Sequence, residues 1–310
     1  MPYENHSVHR QMHDAIAAVD RIILGKSLET RLASCCLIAG GHLLVEDLPG
    51  VGKTTLALAM ARVYGLDYKR IQFTSDLLPA DILGVSIFDA STARFRFEAG
   101  PIFSDVLLAD EINRASPKTQ SALLEAMAEG QVTVEGETRP LPSPYFVIAT
   151  QNPRDQLGTY PLPESQLDRF LMRVSLGYPP AEAELQLLRD SDHRRMVDDL
   201  APVLDRDAVH AIQAAVAAVH VSEAAARYIL ALVQHSRSLP GLRHGLSPRA
   251  GLAIRRAAQA WALLEGRDGV LPEDIQQVFA PVAGHRLHAS ADSELEAPTA
   301  RDILSAVAIP

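Results

Sequence analysis

Cysteine, lysine and long apolar runs are all scarce in this chain of 310 residues, and each shortage excludes something. The only two cysteines are the neighbours Cys35 and Cys36, inside the stretch LASCCLIAG. Adjacent helix positions point to different faces, which argues against a disulfide or a cysteine metal site and leaves plain buried thiols. No eighteen consecutive apolar residues occur, and the opening MPYENHSVHRQ lacks a charged-then-apolar signal pattern. A cytoplasmic protein without a membrane span is the expectation. Positive charge is also short: the net charge is −9, so no global basic field recruits nucleic acid. The 11 histidines show no i, i+4 ligand pair beside a carboxylate-bearing helix, and no transition metal is assigned.

What is present is ordinary globular material, 47% hydrophobic and 22% charged, enough for two domains. Lys26, Lys53, Lys69 and Lys118 are the complete set of lysines, so a Gly-Lys-Ser/Thr triplet should be rare; two occur, at 25–27 and 52–54. That triplet ends the phosphate-loop pattern G-x-x-x-x-G-K-[ST], and neither copy has the first glycine, since positions 20 and 47 are both Asp. Context separates them. A phosphate loop needs a buried strand before it and a helix after it, so that helix-end N–H groups face the phosphates. HLLVE, DLPGVG and TTLALAMARVYG supply strand, loop and helix around Gly52, whereas HDAIAAVDRIIL before Gly25 has helical periodicity. The loop is therefore placed at residues 47–54. Gly50 and Gly52 keep the backbone that must approach a nucleotide, and Asp47 is expected to turn away and hydrogen-bond the loop.

The rest of the first half supplies what a phosphate loop requires. In SDVLLADEINRA a buried run ends in Asp110, placed to reach magnesium, and Glu111, placed to orient and deprotonate the attacking water. A further strand, YFVIATQNP, ends in Gln151-Asn152, an amide tip able to hydrogen-bond that water. Strand–helix alternation to residue 178 predicts an α/β fold with a parallel sheet covered on both faces and the nucleotide at the carboxyl ends of its strands.

These segments together carry a resemblance. EDLPGVGKTT, FTSDLLPADILG, FEAGPIF, LLADEINRASPKTQSALLEAMAEGQVTVEG, ATQNP and LPESQLDRF resemble the MoxR-family AAA+ ATPases, closely over 20–178 and more loosely, mainly in GLSPRA, beyond it. The resemblance implies a five-stranded AAA+ core over 1–178, an all-helical lid over 179–310, ATP and Mg2+ as ligands, and a ring, expected as a homo-hexamer. It implies nucleotide contacts from Asp47, Pro49, Gly50, Val51, Gly52, Lys53, Thr54 and Thr55, with Lys53 on the phosphates and Thr54 and Asp110 on the metal. Gly25 matches a stretch that packs near adenine. Glu111 and Asn152 match the catalytic acid and first sensor; Arg169 matches the arginine finger given to a neighbour's ATP, with Arg114 and Arg173 as alternatives; Arg249 matches the second sensor, in cis or in trans.

Two stretches, GVSIFDASTARFRFEAG and GQVTVEGETRPLP, alternate around turns and read as hairpins inserted into the core. Arg94 and Arg96 there read as nucleic-acid contacts or, more commonly, as charges that block edge aggregation. Beyond Pro179-Pro180, helices are expected near 181–196, 207–219, 223–238, 248–265, 272–283 and 299–307, with Ser247-Pro248 capping one of them. The favoured function is an ATP-hydrolysing, chaperone-like remodeller. Related family members work with proteins carrying a von Willebrand factor A domain, and the resemblance implies such a partner on the hairpin face. A nucleic-acid motor and a non-hydrolysing nucleotide switch are the alternatives.

Overall fold

The structure, a computed structural model, describes residues 2–152, 158–189, 193–290 and 298–309. α1 (Pro2–Asp20) and α2 (Ser27–Ile38) precede β1 (Leu43–Glu46), α3 (Lys53–Val63), β2 (Tyr68–Gln72) and α4 (Pro79–Leu83). A hairpin of β3 (Gly84–Asp89) and β4 (Arg94–Ala99) leads to β5 (Val106–Asp110) and α5 (Pro117–Glu129). A second hairpin, β6 (Gln131–Val134) and β7 (Glu137–Pro140), is followed by β8 (Phe146–Gln151), α6 (Glu164–Leu167) and β9 (Met172–Val174).

Five of these strands form one sheet in the order β2-β5-β8-β1-β9, with all neighbours parallel. The central strands LLVE, VLLAD and FVIATQ are almost wholly buried, as a parallel sheet covered on both faces demands. Alternation sorts their side chains to two sides. Leu43, Val45, Val106, Leu108, Phe146 and Ile148 join the larger core with α1 to α3. Leu44, Leu107, Ala109, Val147 and Ala149 join a second core under α5. The edge strand β2, with its sequence YKRIQ, exposes Lys69, Arg70 and Gln72, charges and an amide that protect an open edge.

The second half is helical. α7 (Ala181–Arg189), α8 (His193–Asp198), α9 (Arg206–Ala218), α10 (Glu223–Ser238), α11 (Pro248–Leu264), α12 (Pro272–Ala283) and α13 (Ala300–Ala306) follow one another. The single helix expected over 181–196 is thus divided, and residues 190–192 between its parts lie outside the described set. Hydroxyl and carboxylate caps set several starts: Asp205, Ser222 and Ser247 each accept a first-turn N–H, a contact worth about 1 kcal/mol. The apolar faces of α9 to α12 merge with the larger core, so the lid and the sheet share one packed interior. Arg206, with Nη2 2.5 Å from the buried Asp105 carboxylate, ties the start of α9 to the segment entering β5.

Candidate nucleotide site

The candidate loop runs from the end of β1 into α3. Gly50 and Gly52 have φ of 84° and 97°, the left-handed region that side chains disfavour. A Cβ added at either would meet nothing within 4 Å, so the loop backbone faces open space. Gly52 is the N-cap of α3 and brings no side chain to cap it, which leaves first-turn N–H groups directed at whatever anion approaches. Lys53 Nζ folds back onto the Asp47 carbonyl at 2.6 Å. Burial holds its pKa below the usual lysine value, while the nearby Asp47, Asp110 and Glu111 carboxylates act in the opposite sense.

The Asp47 carboxylate turns away from this cradle. Oδ1 accepts the Leu48 N–H at 2.8 Å, and Oδ2 accepts the Ser175 hydroxyl at 3.0 Å and the Gly177 N–H at 2.5 Å. Burial pushes its pKa up, but these hydrogen bonds outweigh burial and leave it below the ordinary carboxylate range. Asp47 therefore ties the loop to the strand exit that leads into the lid. Gly25, at φ 71°, packs on that same exit: a Cβ there would lie 2.6 Å from Pro180 Cδ. Lys26, the lysine of the rival triplet, donates to the Tyr178 carbonyl at 2.7 Å.

Across the sheet, Asp110 and Glu111 end β5. Glu111 has φ 56°, uncommon for a residue with a side chain and a mark of local strain. Thr150 on β8 holds the pair together: its hydroxyl accepts the Glu111 N–H at 2.9 Å and donates to Asp110 Oδ1 at 2.6 Å. The edge strand β2 holds them from the other side. Arg70 donates to Asp110 Oδ2 through Nη2 at 2.8 Å and Nε at 3.2 Å, and the Gln72 amide donates to Glu111 Oε2 at 2.9 Å. Arg114 Nε lies 3.0 Å from that same Glu111 oxygen. Asn152 follows the end of β8, next to Gln151, whose amide donates to Glu46 Oε1 at 2.9 Å; Arg173 takes the other Glu46 oxygen at 2.8 Å.

The groups gathered here fit a magnesium nucleotide. An open backbone cradle, a helix N-terminus and an ammonium suit a polyphosphate, and the Thr54 hydroxyl and Asp110 carboxylate are hard oxygen donors of the kind magnesium takes.

Two sequence-matched arginines lie elsewhere. Arg169 and Arg249 line a cavity of about 420 Å³ together with Gly40, Gly41 and His42, at the amino end of β1. The phosphate loop leaves the other end of the same strand. Arg169 donates to the Leu124 carbonyl on α5 at 2.8 Å, and Arg249 Nη1 lies 3.7 Å from Asp168 Oδ2. The structure thus brings Lys53, Asp110, Glu111 and Asn152 to one end of the sheet and Arg169 and Arg249 to the other. Arg70, Gln72, Thr150 and Glu46, which hold the acidic pair and the strand tips, escaped the sequence reading. The one available signal was the alternation of Arg70 and Gln72 along β2, visible only once that polar segment is known to be a strand.

A parallel sheet with a phosphate loop after its fourth-placed strand β1, an acidic pair at the end of β5 with β8 between the two, and a helical lid defines a nucleotide-binding core-and-lid protein. The model of the ATPase family associated with various cellular activities matches residues 42–172, and the AAA lid domain model matches 234–307. The chain is 45% identical over 100% of its length, and 98% of the relative's, to the Bacillus subtilis protein YeaC, uncharacterised by its own description. It is 41% identical over 92% of its length to the Mycobacterium tuberculosis protein named chaperone MoxR1, covering 76% of that protein. A crystal structure of a proposed ATPase from Cytophaga hutchinsonii superposes with a TM-score of 0.92 at 36% identity, covering 99% of this chain and 97% of the other. The chain belongs to the MoxR family of AAA+ ATPases.

Proposed function

We propose that this protein hydrolyses ATP at sites completed between copies of itself, and that turnover drives chaperone-like remodelling of other proteins or complexes. Lys53 and the N–H groups of residues 50–54 bind the phosphates. Thr54 and Asp110 would hold Mg2+, which when bound neutralises charge on the β- and γ-phosphates. Glu111 orients a water and takes its proton as the water oxygen bonds to the γ-phosphorus; the bond from that phosphorus to the β,γ-bridging oxygen breaks, leaving ADP and phosphate. Asn152 steadies the water. Arg169, with Arg249 beside it, meets the charge developing on a neighbour's γ-phosphate.

The observation that carries this reading is the division of the site: phosphate-binding and acidic groups stand at the carboxyl end of the sheet, while Arg169 and Arg249 line a cavity at the amino end. A closed ring, expected as a hexamer, brings unlike ends together. The chaperone role takes its support from the name of the mycobacterial relative. Cytoplasmic placement and a von Willebrand factor A domain partner belong to the same proposal; among the described residues, no helix is long and apolar enough to cross a membrane.

Nucleotide binding and turnover by point variants test it. Lys53→Ala should abolish ATP binding, Glu111→Gln should bind ATP without hydrolysing it, and Lys26→Ala should bind normally. Loss of binding in Lys26→Ala with retention in Lys53→Ala would place the nucleotide elsewhere.

A further inference from the structure

Arg286, just beyond the end of α12, is a charged side chain with 6% exposure. A buried guanidinium is costly unless its donors are paired, and here they face five oxygens, with the His285 ring Nε2 also 2.9 Å from Nη1. Nε donates to Asp168 Oδ1 at 2.6 Å. Nη2 donates to the carbonyls of Asp168 at 3.2 Å and Phe170 at 2.8 Å. Nη1 donates to the carbonyls of Leu171, at 3.3 Å, and Val282. Four of these five acceptors belong to the turn 168–171, which joins α6 to β9 and carries Arg169. The second Asp168 oxygen faces Arg249 on α11. A lid side chain therefore grips the core turn that bears one cavity arginine, and through Asp168 it orients the other.

We propose that Arg286 is a positioning residue for hydrolysis at the neighbouring copy's site: it fixes the turn 168–171 and Asp168, so that Arg169 and Arg249 are presented as a pair whose placement follows α12 of the lid. The inference rests on the neighbour-facing reading of Arg169 given above. Among the described residues the Arg286 hydrogen-bond partners are Asp168, Phe170, Leu171, Val282 and His285, away from Lys53, Asp110 and Glu111, so a chain altered here keeps its own nucleotide site. What it loses is the ability to serve the next copy's site.

The test uses the full chain. In Arg286→Lys the charge remains, but a compact ammonium with three donors cannot reproduce the planar fork of contacts. The expected result is a fall in kcat of about 10²-fold, the scale of a misplaced catalytic group, with KM and ATP affinity nearly unchanged. Mixing Arg286→Lys with Glu111→Gln should then restore hydrolysis well above either alone, because the first chain brings an intact hydrolytic end and the second an intact arginine turn. Arg169→Ala mixed with Glu111→Gln is the reference. If Arg169→Ala is rescued and Arg286→Lys is not, Arg286 is only a structural tie and the inference is wrong. An unchanged kcat in Arg286→Lys overturns it equally. If neither mixture is rescued, the neighbour-facing reading itself fails and takes this inference with it. Should Arg286→Lys not fold, by thermal unfolding, Asp168→Asn carries the same expectations, since it removes the carboxylate that links Arg286 to Arg249.

Discussion

His42, at the foot of β1, has both ring nitrogens committed. Nδ1 accepts the Val147 N–H at 3.1 Å, so Nε2 carries the proton and points at the Met127 carbonyl 3.3 Å away. Burial brings its pKa down to about 4; the Met127 carbonyl acts against this and the Arg256 charge adds to it. His285, buried beside Arg286, is held down to about 3 by burial and then by that guanidinium. Both folded-state values lie below the unfolded value near 6.5, so the unfolded chain binds the extra protons. Their contribution to stability is complete above about pH 6.5 and is lost as pH falls towards 4 and then 3, at up to about 1.4 kcal/mol per pH unit for each histidine. Urea unfolding at pH 7.5 and pH 5 measures this. His42→Gln should lose less stability between the two pH values than the natural protein does. Equal losses would show that His42 does not titrate on unfolding.

At the scale of the element, the hairpin β3–β4 is informative because its base is packed against the core and its outer part is exposed. A Cβ at Gly100 would lie 2.2 Å from the Ile82 carbonyl oxygen, so the strands must leave the core through glycine. Phe97 rests edge-on against Phe103 with centroids 5.9 Å apart, and Arg139 of the second hairpin stacks over Phe97 at 4.0 Å. The two hairpins therefore share one face. Farther out, Phe88 and Phe95 lie opposite each other with rings 5.3 Å apart, yet they remain 55% and 73% exposed. Exposed aromatic pairs of this kind suit a protein partner. The double variant Phe88→Ser/Phe95→Ser should weaken binding of a von Willebrand factor A domain protein at least tenfold in a pull-down titration, with basal ATP turnover within about twofold of normal, consistent with one or two lost aromatic anchors. Unchanged partner binding would remove the hairpin from the docking surface.

The elements also show where sequence reading succeeds. β1, β5 and β8 were legible because three uninterrupted apolar runs ended in polar tips, and both hairpins because their alternation surrounds clear turns. The capped lid helices were legible for a similar reason: Ser247-Pro248 announces α11 before its periodicity begins. β2 was not, since Tyr68–Gln72 buries only Ile71 well and reads as a charged surface segment. With β2 unseen, Arg70 and Gln72 had no position relative to Asp110 and Glu111. Arg286 was hidden for another reason. Its role depends on four acceptors more than a hundred residues earlier, three of them backbone carbonyls with no sequence signature.

At the scale of the whole molecule, Arg169 and Arg249 stand at the opposite end of β1 from the phosphate loop, and the proposed assembly is tested on that separation. A chain that hydrolyses ATP only at boundaries with its own copies should show specific activity that rises with protein concentration and then levels off. Arg169→Ala should retain ATP affinity and lose roughly 10³-fold or more in turnover, the lower range for a supplied arginine. Concentration-independent activity in a protein that stays monomeric with ATP would contradict assembly.

The buried pair Cys35 and Cys36 has a practical consequence at this scale. Both are fully covered, with burial foremost among the causes that raise their thiols far above the ordinary cysteine value, so neither offers a thiolate to a solvent-borne reagent. No other cysteine exists in the chain. The natural sequence is thus already a silent background for site-directed labelling: one cysteine introduced at the exposed Ser91, on the turn between β3 and β4, would stand as a single addressable handle from which a fluorophore or spin label could follow hairpin movement through a turnover cycle.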